Sequence, residues 1–211
     1  MITFYYGSGS PFSWRVWLAL EHKGLSYERV TLSFAEKQNK TPDYLAINPR
    51  GKVPSIVDGD FKLFESDAIV EYLDEKYPDK PLFPKDIEGR AFTRRIVREA
   101  DNLYQATRRI AGQLWTKPEA EWDKVEIEAG RADTIREYGV FGGYLRHDFF
   151  AGASPTAADF ALYPFVATGA RLEKKKADLG LTSARPEKLA AWAKRIESLP
   201  FFDKTFPPHW R

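Results

Sequence analysis

Ser10-Pro11 is the first place in the chain where residue type and spacing could do chemistry. A serine ahead of a proline that opens a helix is placed to cap it, and on spacing alone that is the favoured reading. The same hydroxyl, together with the N–H groups of the first helical turn, could also stabilise an anion brought to that end. Ser13, one turn onward, and Tyr6, at the end of the preceding apolar run, are rival hydroxyl donors. The chain has no cysteine, which removes disulfides, thiolate metal sites, cysteine nucleophiles and C-x-x-C redox chemistry together. Any thiol chemistry must therefore come from a ligand. The three histidines, His22, His147 and His209, are far apart and form no zinc-binding spacing; they read as solvated or capping residues, and no metal is expected.

The elements that must hold these groups follow from periodicity and turn residues. Ile2 to Tyr6 is a β-branched and aromatic run that ends in Gly7-Ser8-Gly9-Ser10-Pro11, so it reads as strand, loop and helix start. Residues 12–23 carry Val16, Trp17, Ala19 and Leu20 at helical spacing and close on Lys23-Gly24. A second strand is expected over 27–32, a short helical turn over 42–47, a turn at Asn48-Pro49-Arg50-Gly51, and strands over 53–57 and 61–64 joined by Asp58-Gly59-Asp60. A helix over 66–77 completes a β-α-β-(short α)-β-β-α order in residues 1–78. Pro78, Pro81 and Pro84 make residues 79–86 a linker. Residues 87–211 then read as all-helical, with amphipathic patterns over 87–116 and 120–146. Gly139, Gly142 and Gly143 weaken the last turns of the second. Thr156 and Asp159 form a capping box after Pro155, and a last helix spans 186–199.

Length and composition agree with this layout. At roughly 150 residues per domain, 211 residues allow one large domain or two small ones. The 43% hydrophobic and 29% charged content is that of an ordinary folding protein. A net charge of +2 offers no electrostatic footprint for nucleic acid or an anionic membrane. No stretch approaches the ~20 apolar residues of a membrane span, and the first residues lack a signal-peptide pattern, so a cytoplasmic protein with no membrane partner is expected.

Four local sequences, in order, resemble those of the cytosolic glutathione transferases, and the resemblance spans nearly the whole chain. Ser10-Pro11-Phe12-Ser13-Trp14-Arg15-Val16 is similar to the catalytic-serine motif of the theta, zeta and tau-like classes. Asn48-Pro49-Arg50-Gly51-Lys52-Val53-Pro54 resembles the family's N-P-x-G-x-V-P loop, Glu65-Ser66 its E-S pair, and Thr156 to Asp159 the start of its sixth helix. The resemblance implies an α/β N-terminal thioredoxin-like domain (βαβ-ββα) plus an all-α C-terminal helical-bundle domain. It implies glutathione as co-substrate, with Ser10 as catalytic residue and Ser10, Lys52, Val53, Pro54, Glu65 and Ser66 as its binding residues. A cis Val53-Pro54 bond, costing only about 0.5 to 1 kcal/mol, would let Val53 pair its backbone with the cysteinyl unit; an ordinary turn into a strand is the alternative. Ser66 at a helix start suits the γ-glutamyl carboxylate, Glu65 the ammonium and Lys52 the glycyl carboxylate, against ordinary capping and a solvated lysine.

The electrophile pocket is expected from Phe12, Tyr104, Arg108, Trp115, Phe206 and Trp210, with packing between domains as the alternative. The implied activity is detoxifying transfer of glutathione to a small soft electrophile. Its rivals are a glutathione-dependent peroxide or disulfide reductase and a non-catalytic carrier of apolar ligands. Phe12 stands where the zeta isomerase motif has cysteine, which argues against that isomerisation and leaves the class unassigned. A homodimer is expected, with Arg94, Arg95 and Arg98 as candidates to meet acids near Asp67 and Glu71 of a second copy, or else to form a solvated charged face.

Overall fold

The computed structural model describes residues 1–210. Arg211, the last residue of the expected helical domain, lies outside the described residues. The chain divides into two compact units, Met1–Phe83 joined by the tail from Pro200, and Pro84–Leu199.

The first unit runs β1 (Ile2–Tyr6), α1 (Pro11–Lys23), β2 (Tyr27–Thr31), α2 (Pro42–Leu45), β3 (Ser55–Asp58), β4 (Phe61–Phe64) and α3 (Ser66–Lys76). These form one four-stranded sheet in the order β2-β1-β3-β4, the expected thioredoxin-like arrangement. The β1–β2 pair is parallel because α1 crosses between them, while β3 and β4 form a hairpin antiparallel to β1. Ile2, Phe4 and Ile56 on the sheet and Val16, Leu20, Ile69 and Leu73 on the helices are fully or almost fully buried. The third strand begins at Ser55, two residues later than the pattern over 53–57 suggested, since Pro54 has no N–H to give to a ladder.

The first unit also extends further than residue 78. Buried Lys23 bonds Asp74 Oδ1 at 3.3 Å and the carbonyls of Asp79 and Lys80 at 3.1 and 3.3 Å, and Leu82 N–H donates to Asp74 Oδ1 at 2.6 Å. Leu82 and Phe83 are buried with it, so most of the proline-rich segment belongs to this unit and is no free linker. The tail, expected in the helical domain, belongs here too. It carries a short helix α8 (Phe202–Thr205), which packs on α1.

The second unit is helical throughout. Its main elements are α4 (Ile87–Leu114), α5 (Lys124–Tyr144), α6 (Ala157–Lys175) and α7 (Glu187–Glu197). α4 buries Thr93, Ile96, Ala100, Leu103, Thr107, Ile110 and Leu114 along one stripe, whereas Ile87 at its first turn is 85% exposed. α5 starts at 124 instead of 120 because Asp123 accepts from Val125 N–H and Glu126 N–H, both at 3.0 Å. Its glycines do not break it: a Cβ on Gly142 would lie 3.0 Å from Pro186 side-chain carbons, so glycine there admits a neighbour. The Thr156–Asp159 box forms as expected. Fully buried Asp159 accepts from Thr156 N–H and O–H at 2.8 Å each, Phe150 N–H at 3.1 Å and Trp192 Nε1–H at 2.7 Å.

Candidate active site

Strand register gathers three of the sequence motifs at one end of the sheet. Tyr5 lies opposite Ser55, and Ser55 lies opposite Phe64, so the three form a row across β1, β3 and β4. Just beyond that row β1 leaves into Gly7–Ser10, β3 is entered from Val53–Pro54, and β4 leaves into Glu65–Ser66. Gly7 shows how close these segments come: a Cβ there would meet Val53 Cγ2 at 3.3 Å and the Phe34 ring at 2.5 Å.

Ser10 caps α1, with extended backbone angles, Pro11 following and its Oγ accepting from Ser13 N–H at 3.3 Å. That bond uses one lone pair. Among the described residues nothing accepts the Ser10 hydroxyl proton, and the residue is half-buried. The rivals are placed differently. Ser13 is 1% exposed and accepts from Gly7 N–H at 3.4 Å. The Tyr6 ring stacks on Phe4 at 5.4 Å and leans on Trp17 at 5.0 Å.

The loop before β3 is fixed by side chains bonded to its backbone. Asn48 Nδ2 donates to Lys52 O at 2.8 Å and to Ser55 Oγ at 3.3 Å, the Tyr44 hydroxyl donates to Lys52 O at 2.5 Å, and Asn39 Nδ2 donates to Gly51 O at 2.7 Å. Gly51 has φ +56, and a Cβ there would meet Asn39 O at 2.7 Å, so glycine is required. The Val53–Pro54 bond is cis. Lys52 is exposed.

At the third segment Glu65 is exposed with φ 72, a backbone region that costs a non-glycine residue about 1–3 kcal/mol, so the segment is held by its surroundings. Ser66, 6% exposed, accepts from Arg15 Nη1 at 3.3 Å, and the same guanidinium pairs with Asp67. Arg15, itself 2% exposed, thus ties α1 to the start of α3, and neither it nor Asp67 was singled out as a site residue from sequence. A lone arginine between Trp14 and Val16 on a buried helical face was the available signal. Asp67, expected near arginines of a second copy, is held by its own chain; Arg95 and Arg98 likewise pair with Glu99 at 3.6 Å and Asp101 at 2.5 Å.

The expected electrophile residues fall on both units. In the first, Phe12 lies under the Arg15 guanidinium at 5.2 Å, and Phe206 and Trp210 pack edge-on against Trp14 at 5.6 and 5.4 Å. In the second, the Tyr104 ring is 5.3 Å from Phe165, and Arg171 lies 4.6 Å over the Trp115 ring. Arg109 is held by Glu126 at 2.7 and 3.0 Å and by Asp133 at 2.6 Å; its guanidinium keeps the Glu126 carboxyl below its usual range, and Arg136 first, at 2.6 Å, and Arg109 after it do the same for Asp133. Neighbouring Arg108 is exposed and bonded to none of the described residues. The histidines differ from expectation at one position. His22 is half-buried, and burial together with Lys23 and Lys80 lowers its pKa to about 4.

Among the described residues no helix is long and apolar enough to cross a membrane, and no group of three or more His, Asp or Glu side chains is placed to hold a metal ion.

Residues 4–81 match the family model of the glutathione S-transferase N-terminal domain, and residues 104–200 match that of the C-terminal domain. Glutathione S-transferase A of Pleuronectes platessa is 30% identical over 215 residues, covering 99% of this chain and 92% of that protein. Glutathione S-transferase 3 of Zea mays is 32% identical over 203 residues, covering 93% and 89%. The crystal structure of a glutathione S-transferase from the Antarctic clam Laternula elliptica superposes with a TM-score of 0.82 at 32% identity, covering 99% of this chain and 93% of that one.

Proposed function

The chain belongs to the glutathione S-transferase family, and from that premise we propose that it holds glutathione at the sheet end described above, activates it as a thiolate through Ser10, and transfers it to a soft electrophile. The observation that carries the proposal is the state of Ser10: its oxygen is committed to the helix cap while its proton has no acceptor among the described residues. A hydroxyl so arranged still has its O–H to donate to an anion. Ser13 accepts one bond in the same way but is 1% exposed, which closes its hydroxyl to a ligand, and Tyr6 caps no helix.

A thiol of pKa near 8.5 is only a few per cent ionised at pH 7, so the enzyme must favour the anion. A hydrogen bond to a charged group contributes roughly 1.5–3 kcal/mol and a helix N-terminus about 0.3–1. At about 1.4 kcal/mol per pKa unit, the two together lower the thiol pKa by about one to three units. The thiol proton passes to solvent, the sulfur lone pair forms a C–S bond with the acceptor, and the displaced electron pair leaves with the leaving group or takes up a proton. The Val53 backbone is assigned to the cysteinyl unit, the Ser66 hydroxyl and the first N–H groups of α3 to the γ-glutamyl carboxylate, Glu65 to its ammonium, and Lys52 to the glycyl carboxylate.

Acceptor recognition is assigned on the helical unit to Tyr104, Arg108 and Trp115. Arg108 supplies a cation for a carboxylate or nitro group, a role supported by the contrast with Arg109, whose charge two carboxylates already match.

Titration of the bound thiol by its thiolate absorbance, in parallel with initial rates, tests the proposal. Ser10→Ala should raise that pKa by about one to two units and lower kcat at pH 7 by about 5- to 25-fold, with the glutathione KM changed by less than about threefold. An equal or larger loss from Ser13→Ala or Tyr6→Phe would move the role to that residue.

A further inference from the structure

The loop that ends in Ser10 has a second support, the end of the chain. Ser8 Oγ and His209 Nδ1 are 3.1 Å apart, a hydrogen bond spanning 201 residues of sequence. At the next residue the fit is tight: Gly9 has φ +79, and a Cβ there would lie 2.8 Å from His209 Nε2 and 3.0 Å from Trp210 Nε1. His209 therefore bonds the loop with one ring nitrogen and lies against its backbone with the other. Trp210, 7% exposed, closes on the same glycine.

The tail is in turn anchored on α1 by contacts that do not involve the loop. Trp14 Nε1 donates to the buried Thr205 hydroxyl at 3.0 Å, and Lys204 pairs with Glu21 at 2.7 Å. The Phe202, Phe206 and Trp210 rings surround Trp14 at 6.0, 5.6 and 5.4 Å. Trp14 lies one turn from the cap, and its own N–H closes on Ser10 O at 2.9 Å. The loop Ser8–Gly9–Ser10 is thus fixed at one end by the helix it caps and along its outer side by a tail bolted to that helix.

We propose that the tail belongs to the thiol-activating apparatus, with His209 as the positioning residue: by holding Ser8 and backing Gly9 it keeps the Ser10 hydroxyl aimed at the glutathione sulfur. The inference rests on Ser10 being the donor to the thiolate. His209 itself touches neither substrate nor sulfur in this role. Loss of its bond lets the loop rotate about the cap, which weakens the donor and raises the bound thiol's pKa. The backbone and side-chain grip on the rest of glutathione, at Val53 and Ser66, is on other segments and stays.

The experiment compares five full-length variants by thiol titration, steady-state kinetics and melting: Ser8→Ala, His209→Phe, the double variant of these two, His209→Asn and Ser10→Ala. Phenylalanine keeps a ring against Gly9 and removes the bond, while asparagine keeps a hydrogen-bonding atom close to the Nδ1 position. Ser8→Ala and His209→Phe should each raise the bound thiol pKa by about 0.5 to 1 unit and lower kcat at pH 7 about 2- to 6-fold, with the glutathione KM within about twofold. The double variant should be no worse than either single one, because both remove the same bond. His209→Asn should recover most of the loss. A lower Tm with unchanged thiol pKa and kcat would make the contact structural and overturn the proposal, and Ser8→Ala gives that answer even if His209→Phe fails to fold. If Ser10→Ala shifts the thiol pKa and the other variants do not, only the tail's role fails. If Ser10→Ala leaves that pKa unchanged, both readings fall.

Discussion

Arg15→Met tests whether the buried tie between α1 and α3 holds the glutathione end of the sheet in place. The guanidinium is 2% exposed, donates to Ser66 Oγ at 3.3 Å, pairs with Asp67 and lies 5.2 Å from the Phe12 ring centre. A hydrogen bond involving a charged group contributes about 1.5–3 kcal/mol, and two are lost here. Two terms act against that sum. Asp67 is 46% exposed, so water recovers much of its share, and methionine fills the stem's volume without the cost of burying a charge. The net loss is about 2 kcal/mol. For a chain of this length about 2–4 °C per kcal/mol applies, so Tm should fall about 4–8 °C. Ser66 then keeps only its bond to Asp67 at 3.4 Å, and the start of α3 is free to shift. The glutathione KM should rise about 3- to 10-fold while kcat stays within about twofold, because the non-reacting end of the ligand contributes equally to ground and transition states. Thermal melts and initial rates at varied glutathione read both effects, and Arg15→Lys should lie between. A variant that melts like the parent and keeps its glutathione KM would refute the argument.

Other sites carry their own expectations. Asp159→Ala strands four donors in the helical core and should cost about 3–5 kcal/mol, whereas Asp159→Asn keeps one acceptor and should cost less; equal melting of the two would show that the carboxylate is not the hub. His22 titrates at about 4 in the folded chain and at 6.5 unfolded, so its contribution to stability is intact above pH 6.5 and falls away as pH drops towards 4. Discounted for partial exposure, the loss is about 2 kcal/mol, and His22→Gln should flatten the Tm-against-pH curve over that window. An unchanged curve would assign the acid sensitivity to other groups. Arg109→Leu should lower Tm by breaking its pairs with Glu126 and Asp133, while Arg108→Leu should leave Tm unchanged and reduce kcat/KM for anionic acceptors more than for matched neutral ones. An equal proportional loss for both acceptor types would remove Arg108 from recognition.

What could be read from the chain without coordinates was carried by signals a few residues long. A cap needs only its own hydroxyl and an N–H three residues on, so Ser10 before Pro11 and Thr156 before Asp159 announced the starts of α1 and α6. The Lys23-Gly24 stop works the same way, with Gly24 at φ +68. The element order followed, and with it the convergence of three motifs on one sheet end. The departures arise where a partner far along the chain decides. Lys23 and Asp74 draw the proline-rich segment into the first unit, and the tail joins α1 through Trp14 and Thr205, 191 residues apart. No local period encodes such a pair, because it depends on which faces meet after packing.

The two ambiguities nearest the chemistry are instructive because each involves side chains that sequence motifs treat alike. Ser10 and Ser13 share one helical turn, but Ser13 stands three and four residues ahead of Val16 and Trp17, both buried, so it belongs to the inward face, where it is 1% exposed and its oxygen accepts from Gly7 N–H. Ser10 lies outside the helix as its cap, where a hydroxyl keeps a proton to give. Arg108 and Arg109 are adjacent, about 100° apart around α4. Glu126 and Asp133 are two turns apart on α5, hence on one face of it, and both reach Arg109. Once α5 packs with that acidic face against α4, Arg109 is committed, and the exposed cation left for a ligand is Arg108. In both cases the deciding step is which residue the helix turns inward, and the neighbour it turns out is the one to which the proposed function gives the chemistry.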